Sequence, residues 1–168
     1  MAESGKRGSR GSRGKQSADL LVYRGAGALL EVLLVHPGGP FWAKKDDGAW
    51  FIPKGETEPA EDALAAARRE FREEIGMDPP AGEPLELGSV KNKGGKMIHA
   101  WALPGDLELS GFHSNTFSLE WPPRSGKQRE FPEVDRAQYF GIELATQKMH
   151  PAEQPLLQRL LERLLGSS

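Results

Sequence analysis

The sequence predicts an α/β fold in which a mixed β-sheet is sandwiched between helices, and three observations carry that expectation. Apolar strand-like runs and amphipathic helical stretches alternate without a regular βαβ repeat, as in mixed sheets flanked by helices. The run from Leu29 to His36 is almost continuously apolar, the pattern of strands covered on both faces. At 168 residues, the chain suits one domain with a proper core.

Residues 1–17 form a Gly/Ser/Arg tract with a short GSR repeat and nothing to anchor a core, so they are expected to be a disordered basic tail ahead of a domain spanning 18–168. Strands are expected at residues 20–24 and 31–36, joined by a turn at 25–27, with a third short strand at 49–52 after a glycine- and proline-rich loop. The strongest helix follows, with Pro59 at its first position. Its buried face is marked by Leu64, Ala67, Phe71 and Ile75, and Gly76 caps its C-terminus. Residues 85–91 and 96–103 read as a hairpin about a turn at 92–95. Next are a strand at 117–121 between loops, a last strand at 137–140 and a brief helix at 142–148. The chain closes with a helix at 152–165 striped by Leu156, Leu157, Leu160, Leu161, Leu164 and Leu165.

Composition excludes several chemistries. There is no cysteine, hence no disulfide, zinc-thiolate site or thiol nucleophile. No apolar run approaches the roughly 18 residues of a membrane span, and no secretory h-region is present, so the expected residence is cytoplasmic. Residues 1–16 hold five basic residues against Glu3, and with a net charge of -2 the other 152 sum to -6. Such a body argues against broad nucleic-acid binding, although the tail leaves an RNA contact open.

The polar side of the strong helix carries the chemistry. At about 100° per residue, Glu70 and Glu74 lie within roughly 40° of each other and Glu73 about 60° beyond Glu70. Ala63 and Ala66 on the same flank leave room for a ligand, while Arg69 and Arg72 are expected to point away from Glu70 and Glu74. Three carboxylates so close repel one another unless a cation sits among them. Their hard oxygens suit Mg2+, or Mn2+ in its place.

Gly55, Glu61, Arg69-Glu70-Phe71, Glu73-Glu74 and Gly76-Met77 fall at the spacing of the Nudix box without a departure, a match with chance on the order of 10⁻⁹ per starting position at average residue usage. The chain thereby resembles the Nudix hydrolases. The resemblance implies metal ligation by Glu70, Glu73, Glu74 and the Gly55 carbonyl, with catalytic roles for Glu73 and Glu74. It also implies that Arg69 orients the carboxylates, with Glu61 in support. A later-loop carboxylate serves as further ligand or general base in this family, and position favours Glu133 over its competitor Glu120. The implied reaction is hydrolysis of a phosphoanhydride bond in a nucleoside diphosphate-linked compound, a dinucleoside polyphosphate or nucleoside triphosphate first among them. An RNA 5′-end pyrophosphohydrolase and a nucleotide-sensing module without turnover are the alternatives.

For the rest of the substrate, Lys54 is placed to reach a phosphate or to stay solvated. Phe41 and Trp42 are placed to stack on a base or to cover the sheet edge, and Lys91, Lys93 and Lys96 bracket the hairpin turn. His99 is placed to touch a ligand or to be a satisfied, partly buried histidine, while Trp101 and Tyr139 are expected in the core. Residues 50–56, 96–101 and 133–139 look similar to the diadenosine polyphosphate hydrolases, but Ala100 stands where those carry a tyrosine. The expected assembly is a monomer or homodimer.

Overall fold

The structure is a computed structural model that describes residues 16–166. Its main sheet contains β1 (Gln16–Arg24), β2 (Glu31–Pro37), β3 (Lys54–Glu56), β4 (Leu85–Lys91), β5 (Met97–Pro104) and β8 (Val134–Gly141). The order is β4-β5-β1-β2-β8, with β3 added to β1. The β1–β5 pair is parallel and the others are antiparallel, so the sheet is mixed as expected. Apart from it, β6 (Thr116–Glu120) and β7 (Gln128–Pro132) form a two-stranded sheet.

Period-2 alternation of side chains divides the core between the two faces of the sheet. Ala18, Leu20, Val22, Leu33 and Val35 pack against Ala66, Ala67, Phe71 and Ile75 of helix α1 (Ala63–Ile75). Leu21, Val32, Leu34, Ile98, Ala100 and Ala102 face the other way. There they meet Ala145 of α2 (Ile142–Lys148) and Leu156, Leu157 and Leu160 of α3 (Gln154–Gly166). The result is the α/β/α sandwich that the continuous apolar strands predict.

The departures have local causes. β1 begins at Gln16, two residues inside the expected tail; Ser17 is buried and pairs with Glu56. The rest of that tail, residues 1–15, lies outside the described residues. Residues 49–52 form no ladder, only bridges at Val35–Phe51 and Trp50–Met149; pairing with β1 starts after Pro53, which has no N–H to give. Helix α1 starts at Ala63, not at Pro59, because the Asp62 side chain accepts the Ala65 N–H as N-cap, and Ala60 sits at φ 66° in the turn before it. Residues 128–132, expected as loop, form β7. Their Gln-Arg-Glu run hides the strand from β-propensity, but Phe131 pairs with Phe117 across the ladder. Val134–Gly141 is longer than expected, and a 3-10 turn at Pro151–Glu153 precedes α3. In α3 the stripe ends early, since Leu165 is exposed. No helix among the described residues is long and apolar enough to cross a membrane.

Candidate metal and nucleotide site

Burial of Phe71 and Ile75 fixes the rotation of α1 about its axis, which turns Glu70, Glu73 and Glu74 to the flank beside β3. Gly76, at φ 78°, closes the helix through its N–H to the Arg72 carbonyl. β3 presents the other half of the site. A Cβ on Gly55 would overlap the Glu70 carboxylate, so glycine is required for that side chain to lie on the strand. Next to it, the Lys54 N–H donates to Glu74 Oε1 at 3.1 Å.

Arg69 does not point away from these carboxylates. Its Nη1 donates to Glu70 Oε2 at 2.6 Å and lies 3.6 Å from Glu73 Oε2. Nε and Nη2 engage both Glu61 oxygens at 3.0 and 3.1 Å, and Nη2 also reaches the Glu56 carbonyl. The bidentate Glu61 pair sets the guanidinium plane; Glu61 and Arg69 thereby form a brace for Glu70. Arg72 is turned to Asp78 instead, at 2.9 Å. Ala66, expected to clear space for a ligand, is fully buried and serves helix–sheet packing.

Glu133, from the segment just before β8, lines the same cavity as Glu74. Gly38 N–H donates to its carbonyl, its own N–H donates to the Asn115 carbonyl at 2.7 Å, and Asn115 N–H donates to the Glu73 carbonyl. The residue is thus tied by backbone both to the loop that carries Trp42 and to α1. Glu120 instead bonds the Gly126 N–H at the tip of its own hairpin.

Glu74, Glu133, Lys54, Trp42, Phe51, Ile52, Val35, Pro37 and Val134 line one cavity of about 200 Å³. Trp42 meets Phe51 edge-on at 5.5 Å between centroids. One wall of the cavity is therefore aromatic and the other acidic. Burial, with the nearby charges of Glu70 and Glu133, pushes the Glu74 carboxyl up to about 8 against the bond from Lys54. Burial also raises Glu70, opposed by its bond to Arg69, and raises Glu133, which Glu73 raises further.

Two expected substrate contacts are otherwise engaged. Lys54 Nζ is tied to Glu153 Oε2 at 2.6 Å and sits 4.2 Å above the Phe51 ring. Lys96 stands outside the cavity lining and pairs with Glu56 at 2.9 Å. His99 stacks on Trp101 and bonds Glu86, Tyr139 is buried, and Phe41 is exposed against Trp121. Phe51 and Glu153 escape a reading by motif. Glu153 was nonetheless visible as an acid in register with Leu156, Leu160 and Leu164, on the buried stripe of the last helix.

Among the described residues, no three acidic or histidine side chains already enclose a point where a metal would sit. Mg2+ asks for less, since it keeps several waters and is held by one or two carboxylates together with substrate phosphates. The all-oxygen donor set, the glycine cradle under Glu70 and the raised carboxyls fit such an ion.

A model of the NUDIX domain matches residues 14–160 of the chain. The human 8-oxo-dGDP phosphatase NUDT18 is 30% identical over 133 residues, which cover 76% of this chain and 38% of that protein. A C. elegans Ap4A hydrolase, solved as a binary complex, superposes with a TM-score of 0.59 at 22% identity, over 91% of this chain and all of the other. The NUDIX domain of Shewanella oneidensis NrtR, solved with ADP ribose, gives 0.60 at 16% identity, over 89% of this chain and 87% of the other. These two likenesses concern the fold.

Proposed function

The chain belongs to the NUDIX domain family, and from that premise we propose that it is a Mg2+-dependent hydrolase of a phosphoanhydride bond in a nucleoside diphosphate-linked compound. The observation that supports this best is the group of raised carboxylates, of which Glu74 and Glu133 line an aromatic-walled cavity, with Arg69 as the only cation bonded directly to a box carboxylate side chain among the described residues. Glu70, Glu73, Glu74 and the Gly55 carbonyl would hold the ion. When bound, it neutralises phosphate oxygens and lowers the pKa of an attacking water.

The chain's own groups do the rest. Arg69 fixes the Glu70 carboxylate, and the backbone ties at Gly38 and Asn115 hold Glu133 across the cavity. Water adds to phosphorus, the anhydride P–O bond breaks with the bridging oxygen leaving on one product, and Glu133 takes the proton. A carboxyl raised from its ordinary range serves better as general base near neutral pH. Trp42 and Phe51 offer planar faces for a base, and each stacked base is worth about 1–3 kcal/mol. At about 200 Å³ the cavity falls short of the roughly 300 Å³ of a typical drug-sized pocket, so it suits a base while the phosphates extend over the carboxylates. A nucleoside di- or triphosphate, oxidised bases included, or a dinucleoside polyphosphate meets that description. The partial relationship to an 8-oxo-dGDP phosphatase agrees with the first of these.

The test is Mg2+-dependent turnover of diadenosine polyphosphates, common and oxidised deoxynucleoside di- and triphosphates, ADP-ribose, NADH and 5′-triphosphate RNA, with Glu74→Gln as control. Cleavage of one class, lost in Glu74→Gln by at least about 100-fold, supports the reading and names the substrate. Nucleotide binding without cleavage of any of them overturns it in favour of a sensing module.

A further inference from the structure

β3 has only three residues, yet Lys54 and Gly55 both lie on it, and residues 49–53 ahead of it form no ladder. One side chain from the far end of the chain compensates. Glu153, fully buried at the start of the last helical segment, accepts the Ile52 N–H on Oε1 at 2.8 Å and the Lys54 ammonium on Oε2 at 2.6 Å. The clamp therefore grips the segment at two points on either side of Pro53. One residue on, the Lys54 N–H holds Glu74 and Gly55 cradles Glu70.

Across the β1–β3 ladder, Lys54 pairs with Asp19, also fully buried, whose Oδ1 accepts the Ser17 hydroxyl at 3.0 Å. Its Oδ2 has no hydrogen-bond partner. Glu153 binds this ammonium and the charge of Asp19 acts on it as well, a costly arrangement if its only task were to fill space under a leucine-striped helix. An apolar side chain at 153 would pack there with less desolvation but would leave the Ile52 N–H unpaired and the Lys54 ammonium without its bonded carboxylate.

We propose that Glu153 is a positioning residue for the metal centre, holding β3 through Ile52 and Lys54 so that Gly55 and Glu74 face the cation. The proposal rests on the assignment of the metal ligands above, but its test needs no nucleotide. Mn2+ affinity is measured by loss of the free-ion electron paramagnetic resonance signal on titration of the full chain, with thermal unfolding recorded beside it. Glu153→Gln keeps an acceptor for Ile52 and loses the charge; Lys54→Met keeps the backbone bond to Glu74 and loses the ammonium.

Each variant is expected to weaken Mn2+ binding about tenfold, the usual scale for partners behind a metal ligand. The double variant is expected to stay within about twofold of the weaker single, because both act through one contact. A purely structural role would lower the unfolding temperature and leave the affinity of the folded protein alone. Folded Glu153→Gln within about twofold of the parent affinity, or single effects that add in full, overturns the proposal. If Glu153→Gln does not fold, Lys54→Met decides: a tenfold loss supports the clamp and an unchanged affinity overturns it. A parent chain that binds Mn2+ but cleaves no nucleotide defeats the hydrolase reading alone, whereas nucleotide cleavage with unchanged Mn2+ affinity in the variants defeats only the clamp.

Discussion

Two sets of carboxylates flank Lys54, and the difference between them separates chemistry from support. On the inner side, Glu153 and Asp19 are fully buried around a single ammonium, and both Glu153 oxygens are bonded. On the outer side, Glu74 and Glu133 line the cavity, and Arg69 is bonded to Glu70 and lies 3.6 Å from Glu73. Glu74 has a backbone N–H as its bonded partner, and its carboxyl is pushed up to about 8. Glu153, with both oxygens bonded, serves structure, whereas under the proposed function the less compensated box glutamates would hold a cation. The same residue type serves both ends, and its bonded partners distinguish them.

The largest effect that would sharpen this contrast is expected from Gly55→Ala. The added methyl overlaps the Glu70 carboxylate, so Glu70 must leave its place. Turnover should fall by about 100-fold, while stability should change by less than about 1 kcal/mol because the displaced atoms end a flexible side chain, measured by steady-state kinetics and denaturant unfolding. Wild-type activity in Gly55→Ala would show that Glu70 does not need the strand.

Next in size is the pH response. Below about pH 4.5 Glu74 is protonated in both the folded and unfolded chain and contributes nothing. Between there and about pH 8 the unfolded chain ionises while the folded one retains its proton, so stability without metal should decline as pH rises through that window. Glu70, Glu133 and Asp19, also raised, act in the same direction. Mg2+ must displace these protons, so the rise in unfolding temperature on adding it should be greater at pH 8 than at pH 6. A rise that is flat or shrinks with pH would mean the carboxylates are not where the ion binds.

Trp42→Ala should cost less and show in a different parameter. Loss of a stacking face predicts a KM increase of about tenfold with kcat changed by less than about threefold. A fall in kcat with unchanged KM would move Trp42 from the substrate to the support of Phe51. Lys96→Ala is expected to do least. Its partner is Glu56, both side chains are partly exposed, and such pairs contribute little; kcat/KM within about twofold of wild type is the expected result.

The acidic side of the site was legible in the sequence because it is local. Seven fixed positions within 23 residues, on a helix whose rotation Phe71 and Ile75 determine, place the carboxylates before any tertiary contact is known. The sandwich was legible for the same reason, since the strands that build it are apolar on both faces. The other side was not local. Phe51 becomes a cavity wall only when residues 49–53 bridge β2 and Met149 at the end of α2, and Glu133 reaches the site through backbone ties to Gly38 and Asn115. The carboxylate partners of Lys54 and Lys96 lie 99 and 40 residues away in the chain. Periodicity carries no record of such pairings, although an acid on a leucine stripe, as at Glu153, is a trace of one.

If these carboxylates form a cation-dependent hydrolytic centre, chelating the cation must stop turnover. The nucleotide that the chain cleaves fastest is assayed in Mg2+, after EDTA, and after Mg2+ is restored, with Glu74→Gln taken through the same cycle. Cleavage should stop with EDTA and return with Mg2+ in the parent chain, and should stay at least about 100-fold lower in Glu74→Gln at every Mg2+ concentration. Cleavage that persists in EDTA, or a Glu74→Gln variant restored to parent rate by Mg2+, would contradict it.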